Sequence, residues 1–135
     1  MGIIIKKLKI LSAKERKAKL FFDTGASSTF MKSNIAEEIG NIVTLPRKYK
    51  FKGIDGNTVE TDKVIFFAVN LLDIWCPFHA FVIEKEDLPV EADVFIGCDF
   101  MGKYNIKLDP KKKDIIVDKE YLKQTFTILF SQQIK

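Results

Sequence analysis

Hydrophobic and polar positions alternate along much of this 135-residue chain with the two-residue period of β-strands. Two apolar stretches, residues 2–11 and 17–22, flank a polar interval and predict a hairpin, although propensity alone would also allow a helix over residues 14–19. A longer hairpin is predicted over residues 48–69, with its turn at residues 53–57. Strand signals therefore dominate the first half of the chain.

The second half continues the same pattern. An acidic, proline-containing loop separates the predicted strands from a closing hairpin near residue 110. Helix signals are confined to two short segments, one capped by Ser33 or Asn34 and ended by Gly40, and one of one or two turns capped by Asp99. We expect a mostly β domain, a small closed barrel with one or two short helices. The remaining strands are predicted at residues 69–74, 76–83, 94–96, 104–109 and 114–118.

Composition limits the possible functions. Hydrophobic residues make up 47% of the chain, with 12 Phe, which is enough for one core in a domain of this length. The net charge of +4 comes from lysines scattered among acidic residues, and the two arginines offer little for base recognition, so no nucleic-acid partner is expected. A basic β-barrel that binds nucleic acid remains the weakest alternative.

Metal, cofactor and membrane functions are not expected either. Cys76 and Cys98 stand 22 residues apart with one histidine, His79, in the whole chain, so the pattern favours free thiols and predicts no metal site and no cofactor. The longest purely apolar run, residues 64–69, is too short to span a bilayer. These features predict a soluble, cytoplasmic protein with no membrane partner.

One stretch, residues 20–29, combines an apolar strand with chemistry. Three apolar residues precede Asp23, and Gly25 allows a sharp turn where a Cβ would clash. A carboxylate held partly inside a protein is costly unless it is hydrogen-bonded or paired. The simple interpretation is a turn led by aspartate, and the alternative is a catalytic carboxylate.

The sequence Asp23-Thr24-Gly25-Ala26-Ser27 resembles the active-site motif of the aspartic proteases, and specifically of the retropepsin-like family. The resemblance implies that Asp23 is catalytic, that Thr24 locks two active-site loops together and that Gly25 forms the turn. It also implies that Ser27 and Ser28, the next residue along, line the pocket floor or satisfy backbone groups.

Two further segments extend this resemblance in the expected order, so that it covers roughly residues 3–118. Ile96 and Gly97 look like the second signature of the family, which packs over the aspartate loop. The resemblance also implies that the tip of the hairpin over residues 48–69 is a flap that covers the substrate. An ordinary exposed hairpin explains this segment equally well. Its central acid differs from the glycine-richer flaps of the viral enzymes. The flap residues implied are Gly53, Ile54, Asp55 and Gly56.

The catalytic hypothesis requires two copies of the chain. Hydrolysis by an activated water needs two carboxylates sharing a proton, yet the chain contains a single Asp-Thr-Gly. The partner of Asp23 would be Asp23 of a second subunit across a two-fold axis. We therefore expect a homodimeric aspartic endopeptidase acting on peptide or protein substrates, and less active at high pH. The alternative is a weak or inactive module for dimerisation or for binding extended peptides.

The chain divides at residue 118 on this interpretation. Residues 1–118 form the protease-like domain, and residues 119–135 form a C-terminal extension of ambiguous structure. Within the extension, residues 126–130 are β-prone. An exposed apolar strand there would pair with a second subunit, which makes an interface strand one expectation for this segment.

Overall fold

The computed structural model describes residues 3–52, 56, 58–88 and 91–126. Nine strands and three α-helices follow one another in this part of the chain, with a 3-10 turn at Lys85–Asp87. The helices are α1 (Ser33–Ile39), α2 (Cys98–Lys103) and α3 (Lys119–Thr125). The strands are β1 (Ile3–Leu11), β2 (Glu15–Asp23), β3 (Phe30–Lys32), β4 (Ile42–Lys52), β5 (Thr58–Leu71), β6 (Ile74–Ile83), β7 (Val94–Ile96), β8 (Lys107–Asp109) and β9 (Asp114–Ile116).

Six strands form a closed barrel in the order β1-β2-β7-β3-β6-β5. Antiparallel pairing of β1 with β5, at Ile10 with Val69 and at Leu11 with Ala68, closes the barrel and leaves these two strands without a free edge there. Strand β4 pairs with residues 58–65 of β5, on the same edge that β1 uses further along. The β4–β5 hairpin corresponds to the one predicted over residues 48–69 but begins earlier, at Ile42. The prediction of a small, mostly β barrel is confirmed.

The barrel core is built from the inward-facing positions of these strands. Strand β2 is buried on both faces at its end, because Phe22 enters the main core while its neighbour Phe21 enters a second, smaller cluster. This double burial explains why the sequence before Asp23 is continuously apolar rather than alternating. The smaller cluster consists of Phe21, Ile83, Leu88, Ala92 and Phe95, with Phe30 and Val59 packed against it.

The pairing of β2 with β7 positions the site. These strands are parallel, with Leu20 opposite Val94 and Phe22 opposite Ile96. Parallel neighbours end at the same edge of a sheet, so Asp23 and Gly97 leave the barrel side by side. The two segments in which an apolar strand leads to a glycine, at Gly25 and at Gly97, therefore lie next to each other.

Several local predictions were wrong in instructive ways. Residues 69–74 are not a separate strand, because β5 continues to Leu71 and a tight turn follows at Leu72 and Asp73, which both have positive φ. Neither Ser33 nor Asn34 caps α1, whose N-cap is Lys32. The residue at the N-cap of α2 is Gly97 rather than Asp99.

The C-terminal extension begins as a helix rather than a strand. The Asp118 carboxylate caps α3 by accepting a hydrogen bond from the Tyr121 N–H, and Leu122 is buried in the main core. Tyr121 also donates its hydroxyl to the carbonyl of Lys103 in α2. Residues 127–135 lie outside the described residues, so the interface strand expected in the extension stays a prediction.

Candidate active site

The Asp23 loop is held by its own backbone. The Gly25 N–H donates to Asp23 Oδ1 at 2.8 Å, and the Ala26 N–H donates to the Asp23 carbonyl at 3.1 Å. A Cβ at position 25 would lie 3.3 Å from Asp23 Oδ1, so glycine lets the carboxylate fold back over the loop. The half-buried carboxylate is thereby fixed in direction, as a turn-forming or a catalytic aspartate would require.

The Gly97 segment packs directly onto this loop. A Cβ on Gly97 would lie 2.5 Å from the Ser28 carbonyl oxygen and 2.9 Å from that of Ala26. Both distances are shorter than a real Cβ contact, and the backbone could relieve them only by moving. The Cys98 N–H donates to the Ala26 carbonyl at 2.7 Å. Glycine is needed here for close approach of two backbones.

A side-chain network that the sequence did not reveal joins the same two segments. Thr29 Oγ1 donates to Asp99 Oδ1 at 2.7 Å and accepts from the Gly97 N–H at 3.1 Å. The Thr29 N–H in turn donates to Asp99 Oδ2 at 3.1 Å. Asp99 was expected to cap a helix, whereas its carboxylate binds Thr29 and so holds the loop that follows Asp23. The only sequence signal was a threonine in one loop and an acid just after the glycine of the other.

Thr24 and Cys98 lie on the exposed side of the loop. The Cys98 thiol donates to the Thr24 carbonyl at 3.0 Å, and both residues are exposed. This contact is a further tie between the aspartate loop and the start of α2. The expectation that the Thr24 hydroxyl locks two loops together stays a prediction.

Asp23 opens into a cavity of about 360 Å³ with mostly apolar walls. Members of the smaller core cluster form part of the wall, and another part comes from the end of the β4–β5 hairpin next to its turn. The rings of Phe30 and Phe51, both in its wall, pack edge to face with centroids 4.9 Å apart. Ser27 is one of the lining residues and Ser28 is not, and the pocket role expected for these two serines stays a prediction. The lining is Asp23, Gly25, Ala26, Ser27, Phe30, Phe51, Lys52, Val59, Ile83, Asp87, Leu88 and Phe95.

The hairpin tip is only partly described. Gly56 is exposed with φ of 86°, a conformation that favours glycine. Gly53, Ile54 and Asp55 lie outside the described residues, so the flap role of the tip stays a prediction. The hairpin arms place Phe51, Lys52 and Val59 in the cavity wall, which is where a flap over the cavity would begin.

The part of the chain that the structure describes contains neither a metal-binding cluster nor a membrane-spanning helix. No group of three or more His, Cys, Asp or Glu side chains in residues 3–52, 56, 58–88 and 91–126 is arranged to hold a metal ion. No helix within those ranges is both long and apolar enough to cross a membrane. The single histidine, His79, stacks on Phe78 with ring centroids 4.5 Å apart, away from Asp23.

The closed barrel, the Asp-Thr-Gly loop and the packed Ile96-Gly97 segment together define a retropepsin-like aspartic protease fold. Among protein families, the one described as "gag-polyprotein putative aspartyl protease" matches residues 11–103. Because this match spans more than half of the chain, the protein belongs to that family.

Individual relatives agree with this assignment. The retrovirus-related Pol polyprotein from transposon 412 of Drosophila melanogaster is 27% identical over 92 residues, which are 68% of this chain and 7% of the polyprotein. The chain therefore spans a small fraction of the length of that relative.

Solved structures share the architecture. The retroviral protease-like domain of Ddi1 from Leishmania major superposes with a TM-score of 0.63 at 22% identity, covering 88% of this chain and 90% of that domain. The EIAV protease complexed with the inhibitor HBY-793 gives a TM-score of 0.55 at 19% identity, covering 80% of this chain and 93% of the protease. At these identities the likeness shows a common fold.

Proposed function

We propose that this protein is a homodimeric aspartic endopeptidase in which Asp23 of each subunit supplies one of two catalytic carboxylates. One observation supports this function above the others. The Asp23 carboxylate is fixed by the Gly25 N–H and lines a mostly apolar cavity, to whose wall the β4–β5 hairpin also contributes. A simple turn-forming aspartate would have no need of such a cavity.

The second subunit follows from the chemistry. The chain has one Asp-Thr-Gly, and a water held by two carboxylates needs a second acid within a few ångströms. Thr24 is exposed immediately beside Asp23, which leaves this side of the loop open to a symmetric neighbour. Two Asp23 carboxylates would then share one proton across the two-fold axis.

The reaction uses both carboxylates in turn. The ionised one accepts a proton from the water, whose oxygen attacks the carbonyl carbon of the scissile peptide bond. The protonated one donates to the carbonyl oxygen, which gives a tetrahedral intermediate. When this intermediate collapses, the C–N bond breaks and the first carboxyl group donates the proton it took from the water to the leaving amine. One hydroxyl of the intermediate returns its proton to the second carboxylate, which restores the starting pair.

The substrate is an extended peptide. A backbone laid between the cavity and the arms of the β4–β5 hairpin would add hydrogen bonds as an extra strand does. The aromatic and aliphatic walls, with Phe30, Phe51 and Phe95 among them, favour a bulky apolar side chain next to the scissile bond.

A comparison of three proteins tests the proposal. Wild type, Asp23→Asn and Asp73→Asn are incubated with a diverse peptide library at pH 4–7, and the products are identified by mass spectrometry. We expect cleavage by wild type and by Asp73→Asn, whose substitution lies in an exposed turn far along the chain, and none by Asp23→Asn.

The alternative function has a distinct result in the same experiment. Peptides that bind wild type but are never cut would indicate a module that binds extended peptides without hydrolysis. Cleavage that persists in Asp23→Asn would contradict the assignment of the catalytic residue.

A further inference from the structure

The outer face of the β1–β2 pair carries a block of exposed lysines. The register places Lys7 directly opposite Lys19, and Lys9 directly opposite Lys17. Opposite positions in an antiparallel pair share one face of the sheet, and so do positions two residues apart on one strand. All four lysines are exposed and therefore project from the same side. We name this surface, which two isoleucines of β1 extend, the lysine face; it consists of Ile3, Ile5, Lys7, Lys9, Lys17 and Lys19.

The charges of the lysine face oppose the stability of the single chain. Like charges directly opposite in a sheet repel each other, and here two such pairs follow one another about 7 Å apart along the strands. In the described part of the chain, the one salt bridge of these lysines joins Lys9 to Glu15 at the long distance of 4.0 Å. The carboxylate of Asp93 accepts a hydrogen bond from the Lys19 backbone N–H and adds a second acid beside the face. The positive charge is therefore only partly balanced.

Protection of a sheet edge does not account for these lysines. Lysine on an edge strand prevents other chains from pairing with it. Strand β2 is not an edge, because it pairs with β1 on one side and with β7 on the other. Lys17 and Lys19 nevertheless project from β2 in register with the lysines of β1. An anionic partner explains the arrangement better, since it would neutralise both cross-strand pairs at once.

Two isoleucines add apolar area to the same face. Ile3 is 54% exposed and Ile5 is 50% exposed, and both alternate with inward-facing positions of β1. Large apolar side chains beside a block of lysines form an amphipathic surface. On such a surface the lysines attract anionic lipid headgroups, while the apolar side chains enter the boundary between headgroups and acyl chains.

The residue types of the lysine face favour a lipid surface over a nucleic acid. Its six members include no arginine, whose planar group forms paired hydrogen bonds with phosphates and bases. They also include no aromatic ring on which bases would stack. The isoleucines would gain nothing from a phosphate backbone, whereas a bilayer offers them an apolar environment.

We propose that the lysine face binds the surface of a bilayer that contains anionic lipids, with the four lysines at the headgroups and Ile5 at the edge of the acyl region. The sequence predicted no membrane partner because its longest apolar run is too short to span a bilayer. A surface that lies on the bilayer needs no such run.

This binding is independent of the proposed protease function. The Lys9–Lys17 pair lies about 20 Å along β1 from the pair that Ile3 forms with Asp23. Contact between two catalytic loops would therefore leave the lysines accessible. Because Ile3 lies beside the catalytic loop, the experiments use Ile5 as the apolar position.

Sedimentation of the full chain with sucrose-loaded vesicles tests the proposal. The vesicles contain phosphatidylcholine alone or phosphatidylcholine with about 30% phosphatidylserine. We expect at least tenfold stronger binding to the anionic vesicles, and at least a tenfold loss of this affinity as salt rises from about 0.1 M to about 0.5 M. Equal binding to both kinds of vesicle overturns the proposal, and so does a lack of binding to anionic vesicles at the lower salt concentration.

A double substitution removes the charge pattern while preserving the fold. Lys7→Glu combined with Lys17→Glu places one acid opposite one lysine in each cross-strand pair, so repulsion is replaced by attraction. We expect urea unfolding to show a stability equal to or above that of wild type, while the affinity for anionic vesicles falls at least tenfold. An undiminished affinity in this folded variant overturns the proposal.

Lys48→Glu combined with Lys50→Glu is the matched control. Both positions are exposed on β4, which stands at the opposite end of the sheet order from β1. The two double variants lower the net charge equally, and the control should bind anionic vesicles within about threefold of wild type. An equal loss in both variants would show that overall charge governs binding, which overturns the role of the lysine face.

Ile5→Ser distinguishes a lipid surface from a nucleic acid. We expect this variant to bind anionic vesicles at least threefold more weakly than wild type, with an unchanged salt dependence. A labelled oligouridine of about 20 nucleotides is the second probe. Unchanged vesicle affinity in Ile5→Ser overturns the proposal. Oligouridine binding that exceeds vesicle binding and is lost in the Lys7 and Lys17 double variant also overturns it, and would identify the partner as a nucleic acid.

Discussion

Thr29 Oγ1 lies 2.7 Å from Asp99 Oδ1, and this hydrogen bond joins the two segments of the chain that form the candidate site. The same hydroxyl accepts from the Gly97 N–H, while the Asp99 carboxylate also accepts from the Thr29 N–H. Thr29 is 1% exposed, so water cannot replace these bonds. The pair clamps the loop after Asp23 to the first turn of α2.

Removing the Thr29 hydroxyl should destabilise the protein, although the change in side-chain size is small. Thr29→Val keeps the shape but leaves the buried Gly97 N–H without its partner. It also removes one of the two hydrogen bonds that Asp99 Oδ1 accepts, the other coming from the Phe100 N–H. We therefore expect a loss of about 1–3 kcal/mol in the free energy of unfolding. Urea unfolding measures it.

Two variants control this prediction. Thr29→Ser restores a hydroxyl and should recover most of the loss, while Thr44→Val, at an exposed position of β4, should change stability by less than about 0.5 kcal/mol. Equal effects at positions 29 and 44 would show that the clamp contributes nothing.

Gly97→Ala should disrupt the site through backbone displacement. Its Cβ would lie 2.5 Å from the Ser28 carbonyl oxygen, so either the Asp23 loop or α2 must move. We expect a stability loss of about 1–3 kcal/mol and a loss of peptide cleavage of at least tenfold. Thermal unfolding and the peptide assay measure the two effects.

Gly102→Ala is the matched control five residues later. A Cβ there meets nothing within 4 Å, and alanine favours the helix, so stability should rise by up to about 1 kcal/mol at the same protein concentration. Similar stability losses for both variants would mean that replacing either glycine destabilises this segment. The close backbone contact at Gly97 would then not explain the loss.

The parts of the fold that depend on residues close together in the sequence could be predicted from it. The apolar run ending at Asp23 and the glycine at position 25 are local signals, and so is the long hairpin over residues 48–69. The clamp between Thr29 and Asp99 could not be predicted, because it joins residues 70 positions apart through the parallel pairing of β2 with β7.

Elsewhere the local signal was weak, so that one strand boundary was predicted wrongly and the start of the C-terminal extension was left open. The turn at Leu72 and Asp73 has positive φ at both residues but contains no glycine, so no turn signal separated β5 from β6. The start of the C-terminal extension is helical because Asp118 caps it and Leu122 is buried in the core, whereas the sequence drew attention to the β-prone residues that follow.

Alkaline conditions should unfold the protein through two buried groups. Burial raises the pKa of the Cys76 thiol from 9.0 to about 11, and burial, followed by the charge of Cys76, raises the pKa of Tyr104 from 10.0 to about 12. Both groups are neutral in the fold and ionise more easily in the unfolded chain. Their contribution is therefore complete below about pH 9 and is lost as pH rises toward 12.

The free energy of unfolding, measured by urea between pH 8 and 11, should decline above pH 9. Cys76→Ala should make the decline shallower from pH 9, and Tyr104→Phe should make it shallower from pH 10. Tyr104→Phe also removes the hydrogen bond from its hydroxyl to the Pro77 carbonyl, which should cost about 1 kcal/mol at pH 7. A wild-type profile that stays flat up to pH 11 would contradict this prediction.

Phe51 should limit the size of the side chain that the substrate cavity accepts. Its ring forms part of the cavity wall and packs against Phe30 and Phe81, with centroids 4.9 and 4.7 Å away. Phe51→Ala enlarges the cavity, so the ratio of kcat/KM for peptides with a large aromatic residue to that for peptides with leucine should rise at least threefold. Tyr49→Ala is the matched control, because Tyr49 lies two residues earlier on the same strand and contacts Phe81 without lining the cavity. Its preference should match wild type, and an equal shift in both variants would indicate a general loosening of the hairpin instead of a change in the cavity.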